Sequence, residues 1–375
     1  VIPFNRAVFS SDELTNLSES LLTGFVSGNG LFTAQVQSRL DELHPGGRSL
    51  LTTSATSALE IAALLLDLQP GDEVIVPAFT FVTTASAFML HGATPVFVDV
   101  REDTLNIDPA LVEAAITPRT RAICIMHYAG VGAEPDVFRD IADRHGIVLI
   151  EDNALGFGAT YRDQPLGTFG DSSAVSFHET KTITCGEGGA LVLNDLRLLE
   201  RAEILREKGT DRSQFMRGEI EKYTWVDIGS SWELSDLLAG VLMGQLDRMD
   251  DILSHRMRAW RRYESGLAAW AADCGIRAPA IPIEAGHCAR SFHLRFDSSD
   301  TRCRFITHLR DRDIVAVFHY QPLHLSAVGR RLGGRPGQFP VSEDAGDTLV
   351  RLPLHAALDE DDLDRVVEAV RTFEP

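Results

Sequence analysis

The stretch AVSFHETKTITCGEGGALVLND, residues 174–195, sets Lys181 between an apolar run and the glycines Gly186, Gly188 and Gly189. Apart from His178 it holds no other basic residue. A lysine confined to a tight segment between two strands can be desolvated, which lowers its pKa and leaves a neutral, nucleophilic amine. Taken alone, the same stretch also fits an exposed loop.

Two further places carry compatible chemistry. Asp152 follows the apolar run GIVLIE, and in a parallel sheet ligands gather outside the carboxyl ends of the strands. A strand-end aspartate can equally cap the next helix. In TTSATSAL a strand runs into a helix through small hydroxyl residues, so backbone N–H groups with the hydroxyls of Thr56 and Ser57 could cradle a phosphate, with Ser176 adding another hydroxyl. An ordinary N-cap has the same composition. An amine, a carboxylate for a ring nitrogen and a phosphate cradle together describe one ligand, pyridoxal 5′-phosphate (PLP).

The elements that must hold these residues are legible in the hydrophobic pattern. From about residue 48 short apolar runs (RSLLTTS, DEVIVPAF, TPVFVDV, TRAICIMHY, GIVLIEDN) alternate with helical stretches. This predicts an α/β fold of βα units around a mainly parallel sheet. The helix predicted over 55–68 is apolar nearly all round, so it belongs in the interior. Residues 196–208 read as a charged helix and 234–272 as one long helical stretch. Pro279, Pro282 and Gly286 then mark a boundary, after which SFHLRF and IVAVFHY read as strands and DDLDRVVEAVRTF as an amphipathic helix. The expected division is an N-terminal arm (1–14), a large domain (15–250), and a helical linker with a smaller α+β domain (251–375).

Composition narrows the partners. A formal charge of −19 over 375 residues disfavours nucleic acid and anionic membrane, so an anionic ligand needs a local basic patch. Five cysteines without a C-x-x-C pair read as reduced thiols of a cytoplasmic protein without a structural metal. No apolar run reaches the roughly 18 residues a membrane span requires, and the N-terminus shows no signal-peptide pattern.

TSATSALEIAAL, PAFTFVTT, VLIEDNA, SFHETK and GEGG stand in the order and spacing of the nucleotide-sugar aminotransferases of the DegT/DnrJ/EryC1/StrS family, which the chain resembles over nearly its whole length. The resemblance implies a fold type I, aspartate-aminotransferase-like architecture. It also implies PLP as cofactor, with pyridoxamine 5′-phosphate as its amino form, and a homodimer with shared active sites. It puts the cofactor-binding lysine at Lys181 and the carboxylate for the ring nitrogen at Asp152. Thr56, Ser57 and Ser176 take the phosphate contacts, and Phe81 the aromatic position against the ring, where core packing is the ordinary alternative. Two positions depart from the family pattern. Leu155 stands where Gln or His is usual, leaving Asn153 as the substitute contact near the ring hydroxyl. Glu233 stands where many relatives carry an Asn that reaches the partner's phosphate, which makes Ser230 or Ser231 better donors. Relatives that dehydrate sugars carry histidine in place of the lysine, so Lys181 argues against that activity, and the complete site argues against a non-catalytic binding protein.

For the substrate, REKGTDRSQFMRGEIEKYTWVDIGSSW gathers Lys208, Arg212, Arg217 and Lys222 beside Tyr223 and Trp225, a grouping suited to a nucleotide diphosphate. Balancing acids in the same segment would make it a solvated loop instead. His319 and Tyr320, in VFHYQPLH, match a segment that borders the family's sugar pocket. The whole most resembles the subgroup acting on dTDP-4-keto-6-deoxy-D-glucose in enterobacterial common antigen synthesis. The expected reaction is therefore transfer of the amino group of L-glutamate to C4 of that sugar; a C3-aminating enzyme or a GDP- or UDP-linked ketosugar is the alternative.

Overall fold

The computed structural model describes all 375 residues. Its centre is a seven-stranded sheet that runs, edge to edge, Arg48–Thr52, Gly189–Leu193, Ser172–Ser176, Val148–Asp152, Thr120–Met126, Glu73–Pro77 and Thr94–Val98. The last five pair in parallel, whereas Gly189–Leu193 lies antiparallel to both its neighbours. Most strand residues are buried, which explains why the runs read as continuous apolar segments rather than alternating ones. The helix Ala55–Leu65 packs its alanines and leucines against one face of this sheet. It stops at Leu65, three residues before the predicted end. No helix is long and apolar enough to cross a membrane.

The predicted helix over 234–272 is two helices, Asp236–Asp247 and Met249–Asp273, broken at Arg248. Arg248 leaves helical geometry, and its guanidinium binds the buried Glu13 and the carbonyl of Val8. The break thus ties the N-terminal segment to the body. The helix Ser11–Thr23, which begins inside the expected arm, packs along Asp236–Asp247. Further on, a core of 25 buried residues joins Ile2 to side chains from Ala259 through Phe373. Here SFHLRF and IVAVFHY contribute only short strands, His293–Arg295 and Val317–Phe318, on either side of Leu349–Arg351.

One position joins sheet and helix at the end that matters for a ligand. Gly189 is in register with Thr52 on one side and Ser176 on the other. A Cβ there would collide with the carbonyl carbon of Ser54 and the nitrogen of Ala55, the entry to helix Ala55–Leu65. Only glycine lets three backbones meet at this point. Gly189→Ala is expected to destabilise the fold by about 1–3 kcal/mol through overpacking against backbone, measured as a lower urea midpoint at unchanged slope.

Candidate active site

Ser172–Ser176 and Gly189–Leu193 form a hairpin whose connection carries Lys181. This connection is not loose. Phe177 N–H donates to Gly188 (2.8 Å), Glu179 N–H to Gly186 (2.7 Å), Lys181 N–H to His178 (2.8 Å) and Cys185 N–H to Phe177 (3.0 Å). Asn5, from the N-terminal segment, donates its side-chain amide to the Glu179 carbonyl at 3.0 Å. The Lys181 amine is pushed down to about 7 by burial first and then by the positive charge of Arg290, with Arg351 adding to it; Asp152 opposes the shift. A neutral amine near pH 7 is what a nucleophile or proton carrier requires.

Asp152 ends its strand in the interior, 3% exposed. Thr84 Oγ1–H donates to Asp152 Oδ2 at 2.7 Å, and Ala154 N–H donates to Oδ1 at 3.1 Å. The Thr80 and Thr84 hydroxyls are themselves 2.8 Å apart. Thr84 lies in the first turn of helix Thr83–Met89 and Thr80 four residues before it, so TFVTT brings both hydroxyls to one side. The adjacent Glu151 points to the opposite face of the sheet, as strand alternation requires. There it accepts hydrogen bonds from His127 Nε2–H (2.9 Å) and from the N–H groups of Gly167, Phe169 and Gly170 (2.9, 2.8 and 2.7 Å). Burial pushes Glu151 up, but His127 and these donors outweigh it and hold the carboxyl below its usual range. Consecutive acids thus have separate work: Glu151 binds the loop after its strand, and Asp152 faces the lysine.

At the sheet edge the helix Ala55–Leu65 presents its N-terminus beside Ser176. Ser54 caps it, accepting from Ser57 N–H at 3.1 Å, and the Ser57 hydroxyl lies 2.7 Å from that of Thr53. The N–H groups of Ala55 and Thr56 have no acceptor within the helix. These free donors, neighbouring hydroxyls and the close approach at Gly189 suit a phosphate, so the amine, carboxylate and anion cradle fit PLP.

The other wall is aromatic and cationic. Tyr128 O–H donates to His319 Nδ1 at 2.8 Å, and the His319 and Tyr320 rings stack at 3.6 Å. Burial, reinforced by Arg351, Arg290 and Lys181, holds His319 well below its ordinary value, so its ring is neutral. Burial also pushes the Tyr128 hydroxyl upward and keeps it a donor. Arg290 and Arg351 complete this side. The sequence reading singled out neither arginine, nor Thr84 or Tyr128; the i, i+4 threonines were the one available signal, since an arginine beside a short strand usually points to solvent.

The remaining candidates divide. Phe81 is half exposed, with its ring 6.1 Å from that of Tyr320, at the edge of an apolar groove of about 480 Å³ that also includes Ser86, Leu323 and Val328. Asn153 does not reach the Asp152 side: it is fully buried and donates its amide to the Leu166 carbonyl at 2.9 Å, because strand alternation turns it away. Leu155 is buried among Phe79, Met126 and Tyr128. In the basic segment Lys208 pairs with Glu233, Arg212 with Glu207 (3.1 Å) and Arg217 with Glu203 and Glu219 (2.9 and 2.8 Å). Lys222 has no such partner and stands exposed with Tyr223 and Trp225. Glu233 is thus neutralised within the chain, by Lys208, and also accepts from Asn29 at 2.9 Å.

Residues 9–371 match the DegT/DnrJ/EryC1/StrS aminotransferase family. The spore coat polysaccharide biosynthesis protein SpsC of Bacillus subtilis (strain 168) is 31% identical over 378 residues, covering 99% of this chain and 96% of that one. Spr1654 from Streptococcus pneumoniae, assigned as a sugar aminotransferase, has been solved in a PMP form that superposes with a TM-score of 0.92 at 28% identity, covering 99% of this chain and 98% of that one. Its PLP form superposes with a TM-score of 0.91. DesV from S. venezuelae is 32% identical with a TM-score of 0.88, covering 96% of this chain and 94% of that one.

The shifted amine has a direct test. In the cofactor-free protein, labelling of Lys181 by an amine-directed reagent is expected to reach half its plateau at about pH 7, not near the ordinary 10.5. Arg290→Met, by removing the adjacent positive charge, should move that midpoint upward. The unfolded chain holds this proton more tightly, so the associated destabilisation is full below about 7 and gone above about 10.5. Peptide-mapped labelling rates between pH 6 and 11 check the two midpoints, and urea midpoints over the same range check the stability.

Proposed function

Because this chain belongs to the DegT/DnrJ/EryC1/StrS aminotransferase family, and is therefore a PLP-dependent sugar aminotransferase, we propose that it moves the amino group of L-glutamate to C4 of dTDP-4-keto-6-deoxy-D-glucose. The products would be a dTDP-4-amino-4,6-dideoxyhexose and 2-oxoglutarate. The observation that carries the chemical part is Lys181: a desolvated amine, pushed down to about 7, facing a carboxylate held by Thr84.

In this reading Lys181 Nζ holds the cofactor and Asp152 meets its ring nitrogen. The helix N-terminus at Ala55 and Thr56, with Ser57 and Ser176, would hold the phosphate, and Phe81 would supply an aromatic face for the ring. Bound PLP supplies an aldehyde that captures amines and a ring that draws electron density from a carbon losing a proton. With the donor bound, Lys181 Nζ would accept the proton of the donor's α-carbon. It returns a proton to the sugar carbon in the second half-reaction. The Thr84 hydroxyl keeps Asp152 aimed, and neutral His319, its Nδ1 engaged by Tyr128, has Nε2–H left to offer a sugar oxygen.

The choice of sugar rests on the basic segment and the aromatic wall. Lys222 beside Tyr223 and Trp225 offers a cation and ring faces to a nucleotide diphosphate, while Lys208 and Arg212 would have to leave their carboxylates to join it. His319 lies close enough to Lys181 to feel its charge, and Tyr320 stacks on His319, which suits the wall of a hexose pocket. The exposed Phe81, Val82 and Leu90 beside the apolar groove support a homodimer in which a second copy covers this face, and five unbonded cysteines suit a reducing cytoplasm.

Lys181→Ala is expected to lose both the yellow colour of bound cofactor and all turnover. Asp152→Asn should still bind cofactor through Lys181 but turn over several orders of magnitude more slowly. The substrate is tested by mixing the pyridoxamine-loaded enzyme with a panel of dTDP-, GDP- and UDP-ketosugars and reading the product by NMR. An amine at C4 of the dTDP sugar is expected; conversion of a 3-ketosugar with the 4-ketosugar untouched would refute the regiochemistry and leave the aminotransferase standing.

A further inference from the structure

Arg290 is 8% exposed, yet none of its guanidinium nitrogens meets an acceptor in the protein, and Nε is fully enclosed without a partner. A buried cation left unpaired costs several kcal/mol unless something satisfies it. Arg351 is nearly as isolated: it donates once, to the Phe318 carbonyl at 3.1 Å, lies 4.7 Å over the Phe4 ring, and its Nε is also unsatisfied. Neither forms an ion pair, and the two other buried arginines without one differ in being satisfied: Arg206 donates to Gln37, Leu51 and Asn29, and Arg256 to the carbonyls of Ala289 and Arg290.

The surrounding structure holds Arg290 in this position. Ala289 adopts a left-handed backbone (φ 47°), a conformation that non-glycine residues avoid. Arg256, fully buried on helix Met249–Asp273, donates to the carbonyls of Ala289 (3.3 Å) and Arg290 (2.9 Å). Opposite, Gly130 leaves the space into which Cys288 and the Arg290 stem fit. Strain, a second buried guanidinium and a glycine gap all serve to aim one unpaired cation inward. Its neighbours there are Tyr128, Tyr320 and, close enough to feel its charge, Lys181.

We propose that Arg290, with Arg351 beside it, is a subsite for a carboxylate attached directly to the carbon that reacts at Lys181, the carboxylate of the amino donor. The proposal rests on the aminotransferase reading. Two guanidinium forks match a carboxylate's paired oxygens. The cofactor's phosphate has its own cradle at Ala55–Ser57 and Ser176, built of neutral donors. A sugar diphosphate is separated from the reacting carbon by the hexose ring and so does not fit an anion site adjoining Lys181. A carboxylate borne by the ketosugar beside its carbonyl would satisfy the same cations and is distinguished by the test.

The test uses the cofactor-loaded enzyme and its Arg290→Met, Arg290→Lys and Arg351→Gln variants. Calorimetry with 2-oxoglutarate, which carries the carboxylate but no amine to transfer, should show Kd rising about 10- to 100-fold in Arg290→Met, as loss of a charge-assisted hydrogen bond implies, with partial recovery in Arg290→Lys. The L-glutamate half-reaction should show the same rise in half-saturating concentration, while the half-saturating concentration of the ketosugar with the pyridoxamine-loaded enzyme stays within about threefold, even where the raised Lys181 pKa slows the rate of both half-reactions. Unchanged 2-oxoglutarate affinity, or a loss confined to the sugar half-reaction, overturns the subsite. Should Arg290→Met fail to fold by circular dichroism, Arg351→Gln decides by the same measurements. A wild-type enzyme that binds 2-oxoglutarate through Arg290 yet aminates no ketosugar would overturn the proposed function alone.

Discussion

The site depends on one close approach of backbones. At Gly189 the strand Gly189–Leu193 pairs in register with Thr52 on one flank and Ser176 on the other, and the entry to helix Ala55–Leu65 lies directly against it. That contact brings the helix N-terminus and the Ser176 hydroxyl together. It also sets where the hairpin connection begins, and therefore where Lys181 stands. The antiparallel insertion of this strand into an otherwise parallel sheet makes it possible, because a hairpin can return within a dozen residues whereas a parallel crossover cannot.

Electrostatics then give the cleft a character opposite to the chain as a whole. The protein carries a formal charge of −19, but Lys181 feels two arginines and a single opposing carboxylate, Asp152. Burial amplifies each of these charges, since water is not there to screen them. The consequence is a lysine that sheds its proton near neutrality beside cations that cannot. Burial, aided by the same field, holds His319 neutral, which leaves it a hydrogen-bonding group rather than another charge.

Support for this arrangement is distributed across the chain. Asn5 clips the lysine connection, Glu13 and Arg248 anchor the N-terminal segment, and Arg256 fixes the turn that carries Arg290. Behind the sheet, Glu151 gathers three loop N–H groups and His127, steadying the strand end from which Asp152 projects. The rigidity of the cleft comes from polar contacts that cross between segments, most of them at least partly buried.

The sequence by itself determined the βα alternation, the burial of the helix that begins at Ala55 and the family, because apolar periodicity and ordered motifs are local signals. It also named Lys181 and Asp152 as candidates, since a lysine between a strand and glycines and an acid at a strand end are unusual where they stand. It did not show the break at Arg248, since a helix-long pattern continues through a residue whose partner, Glu13, is more than two hundred positions away. Nor did it show that Asn153 faces away from Asp152, or that Lys208 and Arg212 are already paired, because a charge cluster has the same composition whether its cations are free or neutralised. Only the tertiary structure decided that Arg290 and Arg351 stand unpaired beside the lysine: an arginine's partners, or their absence, are set by what folding brings near it, and no local pattern records that.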